Sequence, residues 1–378
     1  MTKKNLVIGF VLDDGLDSED GVQKYILTLG KHLQKFGHEV HYIVGETKRN
    51  DIVNIHSLSK NLKVNFNGNK MSMPLPVRTC EIDELFSQTS FDILHIQMPY
   101  SPFYGGKLIV RAKKLGATKT VATFHILPYS FWSKLGSILL GLWLKPSIKY
   151  LDKVVSVSKP AKQFAKKYYY TDSSVVPNMV DIEQFQSSKK LLKTDKNSPV
   201  KLLFLGRLVE RKGCQYLVEA LAELEKTNPD LNYHLDICGR GPLLDQIQQK
   251  VTKYGLASKV TFHGFVSEKE KINFMQNTDM SIFPSVGGES FGIVLIEAMA
   301  AGGMVLAGDN PGYASVLEPS PECLFDPKNT QLFSHKLKSY IQSLDLREKA
   351  CITQQAIVKK FDTTKVVKQI LKIYYNES

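Results

Sequence analysis

Short apolar runs alternate with helically spaced segments along the whole chain. Leu6–Leu12 reads as a first strand. Val22, Ile26, Leu29, Leu33 and Phe36 then follow helical spacing across Val22–Phe36. Glu39–Val44, Asp92–Ile96, Thr120–His125 and Lys153–Ser158 read as strands, with helices at Lys107–Leu115 and Pro160–Tyr169. The pattern restarts at Val200–Gly206, followed by a helix at Cys214–Lys226. Tyr233–Gly239, Val260–Phe265, Met280–Pro284 and Met304–Gly308 continue it as strands. Strands alternating with helices predict parallel sheets with right-handed crossovers, an α/β fold. Two such series predict two doubly wound, Rossmann-like domains. The polar, aperiodic stretch 186–199 reads as the linker between residues 1–185 and 200–360. Residues 361–378 hold a last helix, Thr363–Tyr375, with no strand after it, expected to pack back on the first domain.

Composition narrows the class. The 378 residues are 43% hydrophobic and 23% charged, which excludes disordered and fibrous chains. No apolar run reaches the length of a membrane-spanning helix. The N-terminal apolar run leads into acidic residues and not into a small-residue cleavage site, so it reads as a strand. Five scattered cysteines suggest neither a disulfide framework nor a zinc site, and a reducing, cytoplasmic compartment follows. The net charge is +12, and residues 1–180 hold 24 Lys and Arg against 14 Asp and Glu. That excess favours a polyanionic partner, whether nucleic acid, anionic lipid or an anionic substrate, or is simply a solvated lysine-rich surface.

In open parallel sheets ligands sit beyond the carboxyl ends of the strands. Strand Val200–Leu205 runs into Gly206-Arg207-Leu208-Val209-Glu210-Arg211-Lys212-Gly213. Arg207 and Lys212 in a turn that opens a helix suit a diphosphate. Further on, Gly287-Gly288-Glu289-Ser290-Phe291-Gly292 precedes an apolar helix, expected to begin near Ser290, that carries Glu297. Glycines admit a ligand close to the backbone, and the helix start favours negative charge. A carboxylate on such an apolar helix is costly unless bonded, although a lone Glu usually faces solvent. The chain has no Asp-x-Asp for a metal-bound diphosphate. His38-Glu39-Val40-His41 is one residue short of the zincin spacing, and Gly239-Arg240-Gly241 lacks the full dinucleotide fingerprint, which argues against a nicotinamide enzyme. A non-catalytic nucleic-acid- or lipid-binding protein would not need Arg207, Lys212, Glu289 and Glu297 together.

Over essentially its whole length the chain resembles the retaining nucleotide-sugar glycosyltransferases of GT-B fold, with two Rossmann-like domains facing across a cleft. GRLVERKG, GGESFGIVLIEAMAAG, FDILHI, VATFH, VSVSKPA and VVPNMVD carry the resemblance. It looks most similar to bacterial phosphatidylinositol mannosyltransferases. The resemblance implies transfer of mannose from GDP-mannose to a lipid acceptor, with no metal and no nucleic acid. It implies donor binding by Gly21, Arg207, Lys212, Gly288, Glu289, Ser290, Phe291, Gly292 and Glu297. It implies an acceptor site with Gln23 and His125, and catalytic roles for His125, Glu289, Arg207 and Lys212. Glu268, after strand Val260–Phe265 at the cleft edge, is a candidate to accept from guanine N1–H and N2–H₂, the competing reading being a surface Glu that starts the helix Glu268–Asn277, where an acidic residue suits the dipole. The alternative is a UDP-sugar enzyme acting on a soluble or cell-wall precursor. Asp20, Met179 and Ser130 depart from the family pattern.

Phe131–Lys149 predicts a helix with Ser133, Ser137, Gly141 and Lys145 in one narrow stripe. The wide remaining face is apolar and bears both tryptophans, Trp132 and Trp143. Flanked by Lys149, Lys153, Lys159, Lys162, Lys166 and Lys167, it suits an interfacial helix on an anionic membrane, the competing reading being a core helix. A peripheral protein on the inner face of the cell membrane is the expectation.

Overall fold

The structure is a computed structural model describing residues 4–17, 21–66, 69–98, 100–116, 118–128, 131–186 and 198–377. Asp20, Ser130 and most of the expected linker (187–197) lie outside this set. The chain divides into two compact units: residues 1–178 with 363–378, and residues 179–362.

Unit 1 contains β1 (Val7–Leu12), α1 (Gly21–Lys35), β2 (Glu39–Val44), β3 (Ile55–Ser57) and the hairpin β4 (Asn61–Phe66) with β5 (Asn69–Pro74). Then come α2 (Thr79–Gln88), β6 (Ile93–Met98), α3 (Gly105–Leu115), β7 (Lys119–Phe124), α4 (Phe131–Ile148), β8 (Lys153–Ser156), α5 (Lys159–Tyr169) and β9 (Ser174–Val175). Its seven-stranded sheet runs β3-β2-β1-β6-β7-β8-β9, parallel throughout. The strand order reverses at β1/β6, so the residues after these strands border the crevice where such sheets bind ligands.

Unit 2 starts with α6 (Ile182–Phe185), then β10 (Val200–Leu205), α7 (Cys214–Thr227), β11 (Tyr233–Cys238), α8 (Leu244–Lys253), β12 (Val260–Gly264), α9 (Glu268–Gln276) and β13 (Met280–Phe283). It continues with α10 (Ile293–Ala300), β14 (Met304–Gly308), α11 (Pro311–Val316), β15 (Leu324–Phe325), α12 (Thr330–Gln342) and α13 (Leu344–Val358). Its six parallel strands run β12-β11-β10-β13-β14-β15, with the reversal at β10/β13. The two glycine-bearing motifs follow β10 and β13 and therefore flank that reversal.

The unit boundary falls at Asn178/Met179, ahead of the expected break after residue 185. Met179 is buried, the Val180 N–H donates to the Phe361 carbonyl at 2.9 Å, and Gln276 Nε2 donates to the Phe185 carbonyl at 3.0 Å. These bonds tie residues 179–186 into unit 2. The last helix, α14 (Thr363–Tyr375), belongs to unit 1, where Tyr374 is buried and its hydroxyl meets His95 Nδ1 at 2.7 Å.

Helix α4 sits the reverse way round from most amphipathic helices. Ser137, Gly141, Leu144 and Ser147 are buried. Gly141 passes so close to α5 that a Cβ there would lie 2.1 Å from the Tyr168 carbonyl oxygen. Two members of the expected small, polar stripe, Ser137 and Gly141, thus meet the protein, while Lys145 is exposed. Leu135, Ile138, Leu139, Leu142 and Trp143 face outward, Trp143 at 58% exposure and edge-on to the exposed Phe103 ring at 5.0 Å. The side chains of Phe131, Trp132 and Ser133 lie outside the described set. Among the described residues no helix is long and apolar enough to cross a membrane.

Candidate functional site

In unit 2 the turn after β10 and the loop after β13 are bound together by backbone. The Val286 N–H donates to the Arg211 carbonyl at 2.9 Å, and the Ser285 hydroxyl oxygen lies 3.0 Å from the same carbonyl. Gly213 closes the turn at φ +76°, and a Cβ on it would lie 1.9 Å from the Pro284 carbonyl oxygen. Only glycine permits that approach. It brings Lys212 against Glu289.

Glu289 is the node of the site. Its Oε1 accepts from Arg211 Nη1 at 2.7 Å, Lys212 Nζ at 2.8 Å and the Ser285 hydroxyl at 3.0 Å. Burial acts to raise the Glu289 carboxyl. The charges of Lys212 and Arg211, with hydrogen bonds from Lys212 and Ser285, outweigh it and hold the group below its ordinary value. Lys212 is lowered, chiefly by burial, with Glu289 opposing and Arg211 and Arg207 reinforcing. Burial disfavours a charge and an adjacent opposite charge restores it. Arg211 and Lys212 set against one carboxylate, with the charge of Arg207 felt at Lys212, make this turn electropositive, a preorganised seat for an anion.

A second node joins α9 to α10. Lys271 Nζ donates to both Glu297 oxygens at 3.0 Å and pairs with Glu268 Oε2 at 2.8 Å. Glu297, 4% exposed on an apolar helix, is thus matched by a cation, as its burial demands. α10 begins at Ile293, later than the expected start near Ser290, with Gly292 as its cap. Gly288, Glu289 and Ser290 form the loop ahead of it, while Phe291 is buried edge-on to Phe361 at 5.3 Å.

The remaining expected residues lie in unit 1. Gly21 opens α1, and buried Gln23 donates through Nε2 to Asp14 Oδ2 at 3.3 Å and to the Gly15 carbonyl at 3.5 Å. His125 follows β7, buried, with Nε2 at 2.8 Å from Gln97 Oε1 and its ring edge-on to Tyr25 at 4.8 Å. Burial lowers its pKa to about 3, so the ring is neutral at physiological pH.

Arg211, Ser285, Lys271 and Gln97 were not singled out in the sequence. Arg211 adjoins Lys212, and residue spacing does not distinguish which basic side chain of a turn reaches a partner. Lys271 lies three residues after Glu268, a helical ion-pair spacing that was legible. Gln97 shares a β6 face with His95, two polar residues alternating with Leu94, Ile96 and Met98.

Residues 20–184 match the family Glycosyltransferase Family 4, and residues 184–354 match Glycosyl transferases group 1. The chain is 29% identical to a phosphatidyl-myo-inositol mannosyltransferase of Mycobacterium tuberculosis, covering 97% of this chain and 96% of that one. The enzyme of the same name from Mycolicibacterium smegmatis is also 29% identical, over 97% and 93%. Among solved structures, Anabaena HepE in complex with UDP-glucose superposes with a TM-score of 0.73 at 18% identity, over 98% of this chain and 100% of that one. A glycosyltransferase from Rickettsia africae gives 0.72 at 20% identity, over 99% of each. The fold is that of the GT-B glycosyltransferases.

Proposed function

Since the chain belongs to the glycosyltransferases built from a family 4 and a group 1 domain, we propose that it transfers mannose from GDP-mannose to a lipid head-group hydroxyl, phosphatidylinositol or another glycolipid. The transfer is a retaining one and needs no metal. The observation that carries this reading is the Glu289 node: two cations, Arg211 and Lys212, on one ionised carboxylate at the strand-order reversal of unit 2. Arg207, Arg211 and Lys212 hold the donor diphosphate and take up the charge of the leaving group. Their fixed positions mean that little reorganisation accompanies bond breaking. Glu289 meets the sugar hydroxyls through carboxylate lone pairs that its ionised state preserves. Glu297, oriented by Lys271, receives the ribose, and Glu268 the guanine edge. Retention follows a front-face course in which the donor β-phosphate helps to take the acceptor proton. In unit 1, neutral His125 and Gln23 position the acceptor.

The outward apolar face of α4 supports a lipid acceptor. Unit 1 has 27 Lys and Arg against 15 Asp and Glu, and unit 2 has 22 against 22, so all the excess charge lies with that helix. Anionic lipid attracts such a unit, and the apolar side chains add a contribution that salt does not screen. Both features support a reading in which the protein works as a peripheral protein on the inner face of the cell membrane.

A UDP-sugar donor is the second reading, favoured by the similarity in fold to HepE, whose structures hold UDP and UDP-glucose. Thermal-shift titration separates the two, because a ligand that binds the folded state raises the melting midpoint. GDP-mannose should raise it and UDP-glucose should not. With phosphatidylinositol vesicles the product should be an α-mannosyl lipid. A shift with UDP-glucose alone overturns the GDP-mannose assignment.

A further inference from the structure

The loop after β1 is pressed against the end of β2. The Gly45 N–H donates to the Asp14 carbonyl at 3.2 Å, and a Cβ on Gly15 would lie 2.4 Å from the Glu46 carbonyl oxygen. The Asp14 side chain is fixed within that loop, because its Oδ1 accepts from the Gly15 N–H at 2.7 Å. Its other oxygen, Oδ2, meets the amide nitrogen of Gln23 in α1 at 3.3 Å, and the Gly15 carbonyl oxygen lies 3.5 Å from the same nitrogen. A carboxylate and a carbonyl only accept, so the end of Gln23 turned toward them must be the NH₂. Both amide hydrogens are then engaged, and what Gln23 has left to offer is the lone pairs of Oε1. Among the described residues no donor meets that oxygen.

We propose that Asp14 is the positioning residue that turns Gln23, so that Gln23 Oε1 receives a hydroxyl of the acceptor head group and not its phosphate. The inference rests on the reading of Gln23 as an acceptor-site residue and deepens it by naming the group that Gln23 meets. A hydroxyl donates into a carbonyl lone pair. An ionised phosphodiester carries acceptors alone, so it would set lone pair against lone pair, with the Asp14 charge close behind. Gln23 is 4% exposed, so little water is at hand to stand in for Asp14 as its acceptor. The head group that suits this site is therefore a polyol, an inositol or a sugar, presented by its hydroxyls.

The first arm of the test reads the amide itself. In ¹H–¹⁵N spectra of the full chain labelled at glutamine, the Gln23 side-chain pair is assigned by its loss in Gln23→Glu. Its hydrogens should exchange slowly with solvent in the wild type. In Asp14→Asn they should exchange about tenfold faster, because an Asn amide presents either its oxygen or its own NH₂ and lets Gln23 turn both ways. The second arm is GDP release from GDP-mannose on phosphatidylinositol vesicles. Asp14→Asn should raise the acceptor KM about tenfold, the scale of one lost hydrogen bond, with kcat and donor KM little changed. Dimethyl phosphate, a diester with no hydrogen to donate, should compete with the acceptor at about tenfold lower concentration in Asp14→Asn than in the wild type, since the turned amide offers it an N–H. Asp14→Asn combined with Gln23→Ala loses the same charge but has no amide to turn, and should lack that gain. Fast exchange of the Gln23 hydrogens in the wild type overturns the proposal whether or not any variant folds. So does an unchanged acceptor KM in Asp14→Asn, and so does a gain for dimethyl phosphate that persists in the double variant, which assigns it to charge alone. An acceptor KM unmoved by Gln23→Ala, with slow exchange in the wild type, instead overturns the acceptor-site reading, and with it the part of Asp14 in transfer.

Discussion

Helices α4 and α10 are both rich in large apolar residues, yet they are set into their units in opposite ways. In α10 every residue from Leu295 to Ala300 is buried, and the one carboxylate among them, Glu297, meets Lys271. In α4 small residues turn inward while Leu139, Leu142 and Trp143 are exposed at 62%, 51% and 58%. Apolar character shows that a surface must leave water; it does not show what covers it. A covered helix needs its polar groups matched from within the unit. An uncovered one needs small residues on its inner face, so that it can sit close without spending its large side chains there.

The largest effect should come from breaking the matched region. Glu289→Gln removes the charge that Arg211 and Lys212 share, and leaves two partly buried cations without that anion. Transfer should fall on the order of 10²–10³-fold, the range for a lost transition-state electrostatic contact. The melting midpoint should fall as well, and added nucleoside diphosphate should restore part of it by supplying the missing anion. Near-normal turnover would remove Glu289 from the site.

Next comes a pair of neighbours on opposite faces of α4. Leu144 is fully buried and Trp143 is exposed. Leu144→Ala should cost about 2–5 kcal/mol of stability by denaturant unfolding. Trp143→Ser should stay within about 0.5 kcal/mol of wild type. In co-sedimentation with anionic vesicles the order reverses, because Trp143→Ser loses apolar area on the lipid side. A Trp143→Ser variant that unfolds easily but binds vesicles normally would return α4 to the ordinary class of core helices.

That pair also marks the limit of what was legible. Strand–helix alternation fixed the two sheets, because parallel strands buried on both faces read as unbroken apolar runs such as Leu202–Leu205. The candidate cations and carboxylates were legible from their place after strands. The orientation of α4 was open between membrane surface and core, since periodicity tells which residues share a face and not which face meets protein. The close pass of Gly141 over Tyr168 settles how the helix packs, and that is a contact 27 residues apart in sequence. The Lys271–Glu297 and Arg211–Glu289 contacts were not legible for a related reason: the partners lie 26 and 78 residues apart.

Acid should separate the two units. His95 and His125 have pKa values lowered by burial to about 3, against an ordinary value near 6.5. They contribute stability that is present above about pH 6.5 and is lost as pH falls toward 3. Asp13, raised to about 7 chiefly by burial, works the other way, because its folded form takes up a proton first. His38 and His56 are lowered in the same direction, so the imidazoles outweigh the one carboxyl and unit 1 loses stability between roughly pH 6 and 4. In unit 2 the lowered Glu289 carboxyl contributes stability above about pH 4 and loses it only below. Hydrogen exchange at pH 7 and 5 should therefore show β6 and β7 losing protection before β10 and β13. Equal loss in both units would contradict the buried neutral histidines.

The smallest effect concerns the edge of the matched region, where α9 meets α10. Lys271 bridges Glu268 and buried Glu297, so deleting the Glu268 side chain leaves Glu297 still paired. Stability should change little, about 0.3–1 kcal/mol from the lost first-turn charge of α9. Affinity is the sharper reading. If Glu268 accepts from guanine N1–H and N2–H₂, Glu268→Ala should weaken GDP binding about tenfold, the 1.4 kcal/mol of a partly exposed charged hydrogen bond. UDP binding should hold constant, because uracil lacks that donor pair. Calorimetric titration of both nucleotides against wild type and variant gives the ratio directly. A GDP/UDP ratio that does not move would leave Glu268 as a helix-start residue that steadies Lys271, and would shift base recognition to another part of the β12–α9 segment.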